Sequence, residues 1–154
     1  MLAHPARAEE LGRALAGKVS VKPDLVVSPA MGGLIIGHEV ALALGVRHYF
    51  TERVDGAVAL RRGFALKPGE RVLVVEDVVT TGKSTKEVFD VIRAAGAVVS
   101  GACSVVDRSE AKADLGAPYA ALWTVAVPAW TADACPACKA GTPAIKPGSR
   151  KETK

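Results

Sequence analysis

The chain has little cysteine, few aromatic side chains and no long apolar run, and each shortage excludes a class of protein. Three Cys in 154 residues, an odd number, do not make the disulfide framework of a small secreted domain, so reduced thiols are expected. No stretch approaches the about 18 apolar residues of a membrane-spanning helix. The start, MLAHPARAEE, lacks the apolar core of a secretory signal, and the expectation is a cytoplasmic protein with no membrane partner. Two Trp, two Tyr and three Phe offer little for stacking bases. The formal charge of +4 points weakly to nucleic acid, because Lys146, Arg150, Lys151 and Lys154 against Glu152 place most of it at the C-terminus. The remaining body is nearly neutral, which argues against a nucleic-acid partner and for a small anionic ligand.

What is present is ordinary for one globular domain: 49% hydrophobic and 23% charged residues. The reading is a domain over residues 1–130 and a tail, 131–154, whose Pro, Gly and Lys begin to accumulate at Pro128. Ala8, Leu11, Gly12 and Leu15 recur at helical spacing, giving a helix over 4–16 closed by Gly17. Asp24–Ser28 reads as a strand, PAMGG as a turn, and Ile36, Val40, Ala43 and Leu44 as one face of a helix ended by Gly45. Arg47–Thr51 is a second strand, and 52–70 a mobile hairpin or loop. Arg71–Val75 is a near-continuous apolar run, as in a strand covered on both faces of a parallel sheet. Ser84 and Glu87 stand at capping-box spacing before a helix with Val88, Val91, Ile92 and Ala95 inward and Gly96 as its stop. Strands over 97–106 and 119–127, separated by a polar helical turn at 109–116, complete an α/β pattern. The expected fold is a doubly wound, mainly parallel sheet flanked by helices. No internal repeat is visible.

In such sheets ligands bind at the carboxyl ends of the strands. Three loops compete for that edge: 28–33, 76–83 and 107–109. Glu76 and Asp77 follow four apolar residues, where leaving a carboxylate dry is costly. They either cap a helix, or pair with Lys83 or Arg108, or serve a ligand. Thr80, Thr81, Gly82, Lys83 and Ser84 favour the ligand. They offer hydroxyls, a flexible glycine and successive N–H groups, and they end at a helix N-terminus, which attracts anions. Carboxylates beside such a cradle suit sugar hydroxyls, so the segment describes a ribose-5-phosphate site. Gly82, Lys83 and Ser84 also match the end of a nucleotide-binding P-loop, but the first glycine of that motif falls on Asp77, which would repel a triphosphate.

The run VVEDVVTTGKST, residues 74–85, resembles the phosphoribosyl-pyrophosphate (PRPP) signature of the type I phosphoribosyltransferases. With the Asp107-Arg108 pair and the ending CPACKAGTPAIKPGSR, the chain from about Ala3 to Arg150 resembles the orotate phosphoribosyltransferase family. The resemblance implies transfer of phosphoribosyl from PRPP to orotate, with Mg²⁺ as cofactor and no direct protein ligand to the metal, in a homodimer with shared active sites. It implies that Glu76 and Asp77 bind the ribose hydroxyls and that Thr80, Thr81, Gly82, Lys83 and Ser84 bind the 5-phosphate, with Val78, Val79 and Arg53 also against PRPP. Thr80 and Arg108 would face orotate; Arg108 otherwise pairs with Asp107 or Glu110 at the surface. Ala30, Met31, Gly32 and Gly33 resemble the pyrophosphate loop, and Asp77 and Arg53 are the catalytic candidates.

The likeness has gaps. Met31 and Gly32 replace an aromatic and a Lys found in many relatives. The flexible loop, with Arg53 present, has no Lys before Lys67; Ala57 stands about where one is sought, and Arg61 and Arg62 are either its substitutes or solvated hairpin charge. Relatives begin with several tens of residues that form a hood over the base, whereas this chain starts almost at the following helix. A related transferase using a purine, or a non-catalytic PRPP-binding regulator, are the alternatives. Cys135 and Cys138 form a CxxC, read as reduced thiols in a tail turn, with zinc or redox use as the other options. His4, His38 and His48 are dispersed and read as ordinary helix and strand-end residues.

Overall fold

The computed structural model describes residues 1–128 and 130–143. Along them run α1 (Pro5–Ala16), β1 (Leu25–Pro29), α2 (Gly33–Leu44), β2 (Arg47–Val54), β3 (Ala57–Leu60), β4 (Arg71–Val79), α3 (Lys83–Ala94), β5 (Val98–Asp107), β6 (Tyr119–Thr124) and α4 (Pro136–Lys139). The strands form one sheet in the order β3-β2-β1-β4-β5-β6. All neighbours are parallel except β2 and β3, which make an antiparallel hairpin.

Alternation along each central strand decides what covers the sheet. Val26, Leu73, Val75, Cys103 and Val105 face one way, onto Leu11 and Leu15 of α1 and Ile36 and Val40 of α2. Leu25, Val27, Val72, Val74 and Ala102 face the other way, onto Val88, Phe89 and Ile92 of α3. Both faces are therefore apolar, which is why the sequence of β4 shows a run instead of an alternation. Each fully buried Phe89, Ile92 or Leu73 side chain contributes roughly 1.5–3 kcal/mol of burial. Because α2 crosses one face between β1 and β2 and α3 crosses the other between β4 and β5, the strand order reverses between β1 and β4. Their carboxyl ends flank the crevice in which such sheets bind ligands. No helix among the described residues is long and apolar enough to cross a membrane.

Several local expectations change. β4 runs on to Val79, so Glu76, Asp77, Val78 and Val79 belong to the strand and not to the loop; β5 extends beside it, pairing Glu76 with Ser104 and Val79 with Asp107. The capping box does not form. Gly82 is the N-cap in the left-handed region, Ser84 lies inside the helix with its hydroxyl on Glu76, and Glu87 is turned toward Arg53. Residues 109–116 are a turn, not a helical one: Glu110 and Ala111 have φ of 57° and 60°, and Lys112 N–H donates to the Ser109 carbonyl at 3.0 Å. β6 stops at Thr124. The 52–70 segment contains the hairpin, turned at Asp55 and Gly56, whose φ of 49° and 87° suit an Asp-Gly pair. In the tail, α4 is a single helical turn; residues 144–154 lie outside the described part.

The α1–α2 crossing is tight at Gly12, where an added Cβ would land on the Glu39 Cβ and 2.8 Å from its backbone carbonyl carbon. Gly12→Val is expected to destabilise the fold by about 1–3 kcal/mol, despite valine's better helix propensity, as read by urea unfolding.

Candidate active site

At the carboxyl end of β4 the chain leaves the sheet at Thr80 and re-enters regular structure at Lys83. Only Gly82 of this loop is buried, with φ of 73°, and a Cβ there would strike Leu115, so the position takes glycine for both conformation and space. Thr81 Oγ1 accepts the Lys83 N–H at 3.4 Å. Thr80, Thr81, Lys83 and Ser84, with Arg53, Gly56 and Glu87, line an open pocket of about 440 Å³. The first N–H groups of a helix lack partners within it, so the start of α3 gives this pocket an anion-favouring floor.

Glu76 sits beneath, 5% exposed, its Oε1 accepting the Ser84 hydroxyl at 2.8 Å. Burial raises its pKa to about 7 against the lowering effect of the Ser84 bond, and the neighbouring Asp77 adds a further upward push. Asp77 Oδ1 takes its neighbour's amide, Val78 N–H, at 2.8 Å. Neither carboxylate caps α3 or pairs with Lys83 or Arg108, among the described contacts. At the end of β5, Asp107 accepts both the amide and the hydroxyl of Ser109, at 2.7 and 2.6 Å, and Glu110 pairs with Lys112. Arg108 is anchored by its own amide to the Val79 carbonyl at 2.7 Å and is exposed, with neither surface ion pair made among the described residues.

The loop after β1 closes over the other side of the crevice. Ala30 N–H donates to the Thr51 carbonyl of β2 at 2.8 Å, the Ala30–Met31 peptide is cis, and Leu34 N–H returns to the Met31 carbonyl at 3.2 Å. Gly32 lies against Asp77: an added Cβ would sit 2.8 Å from its Cγ and closer still to Oδ2. Met31 points to solvent, 80% exposed. At the loop's root the fully buried Ser28 hydroxyl bonds His48 Nε2 at 2.6 Å. Desolvation, with a smaller contribution from His38, lowers the His48 pKa to about 4, so the ring is neutral and shares one hydrogen bond with the Ser28 hydroxyl.

The hairpin brings Arg53 to the rim of the Thr80–Ser84 pocket, where its guanidinium bonds Glu87 and the Gly56 carbonyl. Arg62 is tied to Glu52 through two bonds of 3.0 and 2.8 Å, and Phe64 stacks on Tyr49 with ring centroids 4.4 Å apart. The structure thus gathers Glu76, Asp77, Thr80–Ser84, Ala30–Gly33 and Arg53 around one crevice, with Arg108 on the adjacent strand end. Sequence reasoning missed Glu87, taken for a cap, and the Ser28–His48 pair, whose members stand twenty positions apart with no local signal to join them.

Two outcomes follow from this packing. Gly32→Ala is expected to displace the loop or Asp77 and weaken binding of a phosphorylated ligand at least tenfold by calorimetry, with unfolding little changed. Between pH 4.5 and 7 folded Glu76 keeps a proton that the unfolded chain has lost, so its contribution to stability falls as pH rises across that window, by up to about 3 kcal/mol. His48 works in the opposite sense between pH 4 and 6.5. The test is therefore the difference between the parent chain and Glu76→Gln in urea titrations: the variant is expected to gain relative stability from about pH 4.5 to 7 and to level off above that.

Comparisons with known proteins give the family. Residues 1–124 match the phosphoribosyl transferase domain family. The orotate phosphoribosyltransferase of Heliobacterium modesticaldum is 51% identical over 153 residues, covering 97% of this chain and 80% of that one. The same enzyme from Pelotomaculum thermopropionicum is 51% identical over 152 residues, covering 98% and 80%. A crystal structure of a phosphoribosyltransferase from Corynebacterium diphtheriae superposes with a TM-score of 0.69 at 27% identity, over 80% of this chain and 77% of that one. The crevice at the strand reversal, the acidic pair and the threonine-glycine cradle thus belong to a chain of the phosphoribosyl transferase domain family and, within it, of the orotate phosphoribosyltransferases, which are pentosyl-transferring enzymes.

Proposed function

We propose that this crevice binds PRPP and orotate and joins them into orotidine 5′-phosphate, releasing pyrophosphate. The observation that carries the reading is the contact of the 30–33 loop with Asp77 directly beside the Thr80–Ser84 pocket. A sugar phosphate seated in that pocket would, on this proposal, direct its C1 end toward the second loop, which would hold the leaving pyrophosphate. In this reading the backbone and hydroxyls of Thr80–Ser84 hold the 5-phosphate, with Val78 and Val79 carrying the strand into the cradle. Glu76 and Asp77 accept hydrogen bonds from the ribose hydroxyls. Ala30, Met31, Gly32 and Gly33 offer backbone N–H groups to the pyrophosphate. Arg108 and Thr80 face the pyrimidine, where a planar guanidinium can hold a carboxylate or carbonyl through two bonds.

The reaction breaks the bond from C1 to the pyrophosphate oxygen and forms one from C1 to the pyrimidine nitrogen, so positive charge grows on the ribose as negative charge grows on the leaving group. The carboxylates stabilise the first, and loop N–H groups and Arg53 the second. Mg²⁺ fits this donor set. No group of three metal-binding side chains occurs among the described residues, and the ion commonly takes one or two carboxylates and completes its shell with substrate phosphates and water. Here the shell would come from substrate phosphates and water with no direct protein ligand, and when bound the ion would offset charge on the pyrophosphate. We also propose a cytoplasmic homodimer whose hairpin, bearing Arg53, serves a neighbouring site. For that, Arg53 must leave Glu87, an exchange of one surface ion pair for another that costs little.

One observation favours a second reading. No Lys lies between Arg53 and Lys67, and Arg62 is engaged by Glu52, which suits a PRPP-binding regulator without turnover.

Purified protein mixed with PRPP, Mg²⁺ and orotate is expected to deplete orotate absorbance, with hypoxanthine, adenine and uracil inert. Turnover of a purine alone overturns the choice of base, and tight PRPP binding with no turnover supports the regulator. Asp77→Asn removes a charged acceptor and is expected to weaken PRPP binding by at least tenfold, about 1.5–3 kcal/mol; unchanged affinity would remove Asp77 from the ribose site.

A further inference from the structure

The CxxC pair is not used by the chemistry above. Cys135 is the N-cap residue of α4, extended at φ −68° and ψ 122°, and Cys138 follows one turn later. The turn is braced on both sides: Cys135 N–H donates to the Thr131 carbonyl at 2.9 Å, Lys139 N–H to the Cys135 carbonyl at 3.0 Å, and Gly141 N–H to the Cys138 carbonyl at 3.0 Å. Residues three apart on a helical turn have Cβ atoms about 5–6 Å apart, a small adjustment from disulfide reach. Cys138 is exposed and Cys135 partly so, whereas the third cysteine, Cys103, is 1% exposed in the core.

We propose that Cys135 and Cys138 form a reversible dithiol–disulfide site that exchanges with low-molecular-weight disulfides, Cys135 attacking and Cys138 resolving. The two thiols are unequal in the way these roles require. The backbone N–H and the thiol of Cys138 both donate to the Cys135 sulfur, lowering its pKa, while the Cys138 thiol is pushed up by the same contact. The Cys103 thiol, pushed up to about 12 by burial, is inert.

In the first step the Cys135 thiolate attacks one sulfur of RS–SR; the S–S bond breaks and RS⁻ leaves, taking up a proton. In the second, Cys138 gives its proton to solvent and its thiolate attacks the Cys135 sulfur, releasing the second RS⁻, which is protonated in turn. The dithiol is oxidised by two electrons, the small disulfide is reduced to two thiols, and excess thiol reverses both steps. Zinc is the competing use of a CxxC, but two thiolates are half of a tetrahedral set, and no third metal-binding side chain joins them among the described residues.

The test incubates the full chain with oxidised glutathione at pH 7, then alkylates it and maps each cysteine by mass spectrometry. The expected product has residues 135 and 138 joined, two hydrogens lighter and resistant to alkylation, with Cys103 reactive only after denaturation. Cys138→Ser should stop at glutathione on Cys135, and Cys135→Ser should react at Cys138 at least tenfold more slowly. Equal rates for the two single variants overturn the assigned roles. The site itself is overturned if no internal disulfide forms at any glutathione ratio, or if the chain is isolated with zinc that protects both thiols until chelated.

Discussion

Everything at the mouth of the sheet depends on how closely the loop after β1 passes the end of β4. The approach is set by parallel pairing deep in the core, where Leu25, Val26 and Val27 stand opposite Val72, Leu73 and Val74. Once that register is fixed, β1 leaves the sheet beside the point where β4 still has Glu76 and Asp77 to run, and Gly32 is carried onto the Asp77 carboxylate. The apolar residues of the two strands are thus what space the polar ones. An interior packed on both faces resists sliding, so the separation of the two loops is a property of the core and not of the loops.

The same packing makes the acidic pair unequal. Glu76 projects into the protein beside Ser104 and finds only the Ser84 hydroxyl, whereas Asp77 projects toward the crevice. One backbone step separates them, and in a strand one step reverses the side-chain direction. Two adjacent carboxylates of similar intrinsic acidity therefore meet different dielectric surroundings. The buried one is held near neutrality in its titration, a condition that an arriving cation or sugar hydroxyl would relieve. Stability given up at a ligand site in the empty state is a common cost of preparing it for the ligand.

Much of this was legible in the sequence. The apolar run of β4, the hydroxyl-rich loop after it and the periodicity of α3 are local signals, and the structure bears out the alternating architecture they imply. The reach of β4 through Val79 was not legible, because what holds two carboxylates in a strand is the length of β5 beside it, a non-local fact. Ser84 and Glu87 carried the spacing of a helix cap, yet tertiary partners at Glu76 and Arg53 outcompeted the local bonds. Ser109–Gly116 had helical composition, but Asp107 captures Ser109 and left-handed residues at Glu110 and Ala111 turn the chain away. His48 gave no signal at all, since its importance lies in having Ser28 opposite it in the folded sheet.

That pair makes β2 a shared beam. At one point it holds the root of the 30–33 loop, through His48 to Ser28 and through the Thr51 carbonyl to Ala30, and a few residues on it becomes the hairpin that carries Arg53. A ligand that drew the loop inward would act on the same strand whose far end bears the guanidinium. By thermodynamic reciprocity, any gain that loop ordering gives to hairpin docking is returned when docking comes first. The 30–33 loop and the Arg53 hairpin are in this sense joined by one strand.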